Sequence, residues 1–306
     1  MRFEGVVPAV LTPYRNGDID EKALRTLVRF LCDKGVHGLY PCGTTGEGML
    51  LSASERKKVA EIVVDEAHGR VPVMVHVGAI STAETIELAR HAQSIGAQAI
   101  GVVAPYFYSV DKAGLVEHYT RVAEAVPEMP VYIYNIPGNA KNDVTADIAK
   151  TIVDRCPNVV GVKDSSKDIG KLQGYVEKLG PKHSVLVGSD ALVLAALAVG
   201  GAGVISAVAN PFPEPVLAVF NAFKKGDFAL ARELQKKLNK LRSVLQEGPY
   251  LAAYKAALKM RGYEFGGAKA PMREMNQEEY DKLKAVLSEL GYLQPAVSRK
   301  YKSAPE

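Results

Sequence analysis

The sequence is poor in cysteine. Its 306 residues include only Cys32, Cys42 and Cys156. An odd, sparse set without CxxC spacing excludes a disulfide scaffold and fits reduced thiols in a cytosolic protein. Charge of one sign is also scarce. Thirty-eight Lys+Arg against 34 Asp+Glu leave a net charge of +4. So small and evenly spread a charge gives no argument for a nucleic-acid or anionic-membrane partner. The local basic runs, Lys236 to Arg242 and Arg299 to Lys302, read as a solvated helix face and a tail. No apolar run reaches the ~18 residues that span a bilayer. The longest candidate, Ala191–Ile205, is interrupted by Gly200, Gly201 and Gly203. The N-terminus enters an apolar segment at Gly5–Leu11 without a basic region or cleavage site, so no signal peptide is expected. His37, His68, His76, His91, His118 and His183 form no HxH or HExxH spacing, so no metal is expected.

What is present is a repeat of form. Short runs rich in Val and Ile end in small or polar residues, and amphipathic stretches follow them. The runs are Gly5–Pro13, Gly38–Gly43, Val71–Gly78, Ala99–Pro105, Pro130–Pro137, Val159–Ser166, Ser184–Asp190 and Gly203–Asn210. Near-continuous apolar runs suit strands buried on both faces. Helical spacing appears in Leu24, Leu27, Val28 and Leu31, and again in Ile148, Ile152 and Val153. Ser52 to Glu55 reads as a capping box, and Thr82 leads into a second helix. Eight strand–helix units over residues 5–225 predict an α/β fold, a closed (β/α)8 barrel rather than an open doubly wound sheet. From residue 226 onward, helical segments at 227–246, 250–261 and 276–290 follow without strands. They predict a C-terminal helical extension over 226–306, packed on a catalytic barrel of residues 1–225.

Barrel active sites lie at the C-terminal ends of the strands, so polar residues that end apolar runs are the candidates. Lys163 ends Val159-Val-Gly-Val-Lys163. Burial there would lower its pKa and free an amine to attack a carbonyl, whereas a strand-end lysine can also simply snorkel to solvent. Tyr134 ends a second run and can relay a proton near a carbonyl, or pack in the core with its hydroxyl satisfied. Gly43-Thr-Thr-Gly-Glu47 can hold a carboxylate through hydroxyl and backbone donors, or be a plain turn. It lacks P-loop spacing. Gly188-Ser-Asp190 reads as a strand-to-helix turn capped by Ser189 or Asp190, Gly200–Gly203 as a helix C-cap in preference to a phosphate contact, and His76 and Cys42 as structural.

Together, Gly43-Thr-Thr-Gly-Glu47, Tyr134-Asn-Ile-Pro137 and Gly161-Val-Lys-Asp-Ser-Ser166 resemble the dihydrodipicolinate synthase / N-acetylneuraminate lyase family of pyruvate-dependent class I aldolases. The resemblance covers nearly the whole chain, from Gly5-Val-Val-Pro to Ala253-Tyr-Lys-Ala-Ala-Leu-Lys259. It implies that Lys163 forms a Schiff base with pyruvate or another 2-keto acid, and that no metal or organic cofactor takes part. Tyr134 would shuttle the proton, and Thr44 would link it to outside donors. Thr45 would bind the substrate carboxylate through its N–H, and Gly188 and Ile205 would line the site near the imine. The family also implies a cytoplasmic homotetramer, a dimer of dimers, with Tyr106–Tyr108 at the tight interface.

Departures from the synthase pattern bear on the aldehyde. Asn139 stands where synthases carry the arginine that holds aspartate semialdehyde, and an amide cannot replace a bidentate guanidinium. Lys141 is a nearby point charge. Phe107 stands where synthases place a tyrosine contributed by a neighbouring subunit, with Tyr106 and Tyr108 on either side. Ala53, Arg56 and Ile80 replace the His, His and Asn of the lysine-feedback pocket. The expected activity is therefore cleavage of a 2-keto-3-deoxy sugar acid, or an N-acetylneuraminate-like substrate, to pyruvate and an aldehyde. The alternatives are 4-hydroxy-tetrahydrodipicolinate synthase, a sugar-acid dehydratase and a non-catalytic homologue.

Overall fold

The computed structural model describes residues 2–293; the basic run at 299–302 lies outside them. The chain opens with β1 (Gly5–Pro8), a two-rung hairpin β2 (Tyr14–Arg15) and β3 (Asp18–Ile19), and α1 (Glu21–Asp33). There follow α2 (Ala53–Ala67), β4 (Met74–His76), α3 (Thr82–Ser94), β5 (Ala99–Val103), α4 (Lys112–Ala125) and β6 (Val131–Asn135). Next come the short α5 (Pro137–Ala140), α6 (Ala146–Arg155), β7 (Val159–Asp164), α7 (Ile169–Leu179) and β8 (Ser184–Val187). The repeat ends with α8 (Val193–Ala198), β9 (Gly203–Ser206) and α9 (Pro213–Lys224). Three helices complete the chain: α10 (Phe228–Leu245), α11 (Ala252–Met260) and α12 (Gln277–Glu289).

Seven strands form one parallel sheet in the order β1-β9-β8-β7-β6-β5-β4. The run Gly38–Gly43 does not form a regular strand; its ladder is reduced to one parallel bridge, Leu39 to Val73. Gly38, Pro41 and Gly43 explain this, since proline removes a ladder donor and glycine weakens a strand. The segment still joins the two sheet edges. His37 N–H and Tyr40 N–H donate to Val6 O and Pro8 O on one side, while Met74 N–H and His76 N–H donate to Leu39 O and Pro41 O on the other.

Side-chain alternation divides the core. Between sheet and helices lies the larger apolar layer, which includes Val6, Val75, Ile133 and Val162. Inside the curl a smaller cluster gathers Phe3, Val7, Tyr40, Met74, Tyr132, Leu186 and Ile205. Gly101 makes room there, because a Cβ on it would lie 2.6 Å from the Tyr40 hydroxyl. Helix starts follow the sequence signals. Ser52 and Glu55 form the capping box of α2, and Asp227 caps α10. Ser81, rather than Thr82, caps α3. The extension packs through α10 on α9 and α12, and through α11 on α12. Of the basic run in α10, Lys236, Lys237 and Lys240 are exposed, but Arg242 is half-buried and faces inward. Among the described residues, no helix is long and apolar enough to cross a membrane.

Candidate active site

Period-two alternation brings the two principal candidates together. Tyr132 and Tyr134 on β6, like Gly161 and Lys163 on β7, share the inner face. In the ladder Tyr132 pairs with Gly161 and Tyr134 with Lys163. The lower pair belongs to the inner core; the upper pair opens into a cavity of about 420 Å³. Lys163 is 4% exposed. Its Nζ lies 3.7 Å from the centroid of the Tyr134 ring and 4.3 Å from that of Tyr40. Burial among these rings lowers the lysine pKa to about 7.

Burial also raises the Tyr134 phenol to about 12, although the Thr44 and Ser165 hydroxyls beside it act in the opposite direction. Thr44 Oγ1 and Tyr134 Oη lie 3.1 Å apart, and either can donate. At Gly188 a Cβ would lie 1.9 Å from Ser165 Oγ and 3.3 Å from Lys163 Cε, so a side chain there would collide with Ser165 and crowd the lysine.

The outward-facing residues of the same motifs brace the strand ends. Asn135 Nδ2 donates to Asp164 Oδ1 at 3.0 Å and to Asp143 Oδ1 at 3.0 Å. Asn135 Oδ1 accepts from Val144 N–H at 3.0 Å. Asp164 Oδ2 accepts from Ser166 Oγ at 2.6 Å. The Asn of Tyr-Asn-Ile-Pro and the Asp of Lys-Asp-Ser-Ser therefore tie together the strands that carry Tyr134 and Lys163.

The Gly43–Glu47 turn is held by the C-terminal part of the chain. Glu47 adopts a left-handed backbone, with φ of 56°. Its buried carboxylate pairs with Lys255 Nζ on α11 and accepts from Lys269 N–H at 3.2 Å. Lys255 Nζ also donates to Gly267 O at 2.9 Å. The C-terminal helices thus fix the loop whose threonine touches Tyr134.

Thr44, Thr45, Tyr134, Asn139, Lys163, Gly188 and Ile205 all line the cavity. Phe107 does not; it is 69% exposed and packs edge-on against Tyr108. Ser189 gives no cap to the turn after β8, and Asp190 is not free to do so. The buried Asp190 carboxylate accepts from the Ser206 hydroxyl and, at 3.3 Å, from Val208 N–H. His76 and Cys42 are structural. His76 Nδ1 lies 3.0 Å from Cys42 O and 3.3 Å from Arg56 Nη2. Burial, then the Arg56 charge, keeps this histidine neutral. Burial pushes the Cys42 thiol up to about 12. Sequence reasoning missed the outer wall of the cavity: Arg242, Gln246, Tyr250 and Tyr254 from the extension. It also missed Tyr40 beneath the lysine. No group of three His, Cys, Asp or Glu side chains fit for a metal exists among the described residues.

Comparison with known proteins shows the family and agrees with the fold. The family model described as the dihydrodipicolinate synthetase family matches residues 2–290. An uncharacterized DapA-like lyase of Halobacterium salinarum is 42% identical over 95% of each chain. A 4-hydroxy-tetrahydrodipicolinate synthase of Methanospirillum hungatei is 37% identical over 94% of this chain and 99% of its own. The crystal structure of dihydrodipicolinate synthase from Aquifex aeolicus is 35% identical and superposes with a TM-score of 0.91, covering 95% of this chain and 99% of that one. With fold, motifs and matches spanning the same residues, the chain belongs to the dihydrodipicolinate synthetase family of pyruvate-dependent lyases, which join a lysine to pyruvate as a Schiff base and use no external cofactor.

Proposed function

We propose that the protein is a pyruvate-forming lyase that cleaves a 2-keto-3-deoxy acid, with Lys163 as the imine-forming residue. The observation that carries this reading is the buried Lys163 amine, 3.7 Å from the Tyr134 ring at the floor of the cavity. The neutral amine attacks the C2 ketone, and loss of water from the carbinolamine gives the imine. Tyr134 relays the proton in these steps, and Thr44 passes it onward. Tyr134, left as a phenolate once it has protonated the departing water, then takes the proton of the 4-hydroxyl, the C3–C4 bond breaks and its electron pair flows to the iminium. The aldehyde departs. Protonation of the enamine at C3 and hydrolysis release pyruvate. Thr45 N–H holds the substrate carboxylate, while Gly188 and Ile205 shape the space around the imine.

The lyase direction is supported by Asn139, a neutral amide in the cavity wall where the synthases of this family carry an arginine. The second reading is condensation of pyruvate with L-aspartate semialdehyde. Its support is the synthase name of relatives such as that of Methanospirillum hungatei. We take residues 1–225 to be a closed (β/α)8 barrel, with the Gly38–Gly43 segment as its eighth strand, and 226–306 to be a helical extension packed on it. We also take the working form to be a cytoplasmic homotetramer, with the exposed Phe107 and Tyr108 at the tight interface.

Borohydride reduction in the presence of pyruvate tests the central assignment. Mass spectrometry should find the adduct on Lys163, and an unmodified Lys163 would overturn it. Pyruvate release from 2-keto-3-deoxygluconate or N-acetylneuraminate, beside pyruvate consumption with L-aspartate semialdehyde, then separates the two readings.

A further inference from the structure

Among the described residues, every arginine but one is either held by a partner or exposed. Arg15, Arg25, Arg29, Arg70, Arg261 and Arg273 form ion pairs. Arg2 donates to Pro181 O, and the buried Arg56 donates to Gly78 O and His76 O. Arg90, Arg121, Arg155 and Arg232 have no partner, but all four are exposed. Arg242 fits neither group. Among the described residues, it is the one arginine withdrawn from solvent that has neither hydrogen bond nor ion pair.

Arg242 lines the cavity that Lys163 floors. The nearest candidate to neutralise it is Asp190, the only carboxylate in that lining. Asp190 already accepts from Ser206 Oγ and Val208 N–H; the Arg242 charge acts on it from a distance, but the two side chains make no ion-pair contact. Besides Lys163, the one other cation in the wall is the exposed Lys167, likewise unpaired and held with φ of 66°. A partly desolvated guanidinium without a partner is costly, and its planar fork matches an oxyacid group. It comes from α10 of the extension, whereas Lys163, Tyr134 and Thr45 come from strand ends and the loops after them, so we assign it to the end of a substrate remote from the imine.

We infer that Arg242 is the specificity-determining residue for an anionic group, carboxylate or phosphate, on the aldehyde half of the substrate. The inference rests on the lyase reading above and narrows it. The substrate is a 2-keto acid with a second acidic group, and α10 supplies the cation that Asn139 does not.

The test uses pyruvate with three aldehydes: uncharged glyceraldehyde, glyoxylate with its carboxylate, and glyceraldehyde 3-phosphate. Wild-type enzyme should favour at least one charged aldehyde over glyceraldehyde by about tenfold or more in kcat/KM, the range expected of a hydrogen bond to a charged group. Whichever charged aldehyde is preferred identifies the group as carboxylate or phosphate. Arg242→Met should abolish the preference, mainly through KM, and Arg242→Lys should restore part of it. Borohydride trapping of pyruvate on Lys163 should be unchanged in both variants. Equal use of the three aldehydes, no turnover of any while trapping persists, or a preference that survives in Arg242→Met would each overturn the inference. Loss of trapping in the wild type would instead overturn the imine assignment itself.

Discussion

Lys163 Nζ lies above the face of the Tyr134 ring, 3.7 Å from its centroid, one rung across the β6–β7 ladder. The two residues proposed as nucleophile and proton carrier thus sit on adjacent strands that share hydrogen bonds. Their separation is set by the sheet rather than by side-chain reach.

Burial gives the Lys163 amine a pKa of about 7. Below that value the group is an ammonium and cannot attack. The rate of pyruvate trapping by borohydride should therefore rise with pH through an acid limb centred near that pKa, falling about tenfold for each pH unit below it. A limb centred near 10 would mean that the lysine is solvated.

The same shift bears on stability. A lysine with a depressed folded pKa binds fewer protons than the unfolded chain between pH 7 and its ordinary value near 10.5. The wild type therefore gains stability as pH rises through that window. Lys163→Met should be more stable than the wild type at pH 7 by a few kcal/mol, with the difference shrinking toward pH 10. Denaturant midpoints at the two pH values check the sign.

Thr44→Val removes the hydroxyl 3.1 Å from Tyr134 Oη and keeps the volume. A lost proton relay should lower kcat by about 10²-fold, within the usual range for general acid–base groups. KM should change little and Lys163 should remain trappable. An unaltered kcat would show that Tyr134 exchanges its proton by another route.

The buried Glu47–Lys255 pair makes a paired test. Lys255→Met strands a carboxylate and should cost about 3–5 kcal/mol. Glu47→Leu combined with Lys255→Met should recover much of that stability. It should not recover kcat, because the Thr44 turn loses its tether. Denaturation and steady-state kinetics on the same three proteins decide it.

The sequence made the residues gathered at the strand ends of this cavity legible and its other walls much less so. Lys163, Tyr134 and Thr44 were readable because a polar residue ending an apolar run is conspicuous, and because three motifs occur in barrel order. Asn135 and Asp164 sat in those motifs without an evident task; their outward direction follows from alternation, but their mutual hydrogen bond needs the register. Glu47 and Lys255 are 208 residues apart, and nothing local links them. Arg242 sat at the end of a run of solvated lysines, and helical periodicity does not tell a face against a cavity from a face against water. Gly38–Gly43 read as a strand from its apolar content, although its proline and glycines reduce its ladder to a single bridge.

The cavity's division of labour has a consequence for engineering. The residues proposed for the covalent step come from strand ends and loops before residue 210, whereas Arg242, Gln246, Tyr250 and Tyr254 arrive on one helix–turn–helix over 228–260. That contiguous segment is a natural unit to exchange. Grafted from a relative, it should retune which aldehyde is accepted while leaving the covalent step intact, provided the donor segment brings a lysine at position 255 to meet Glu47.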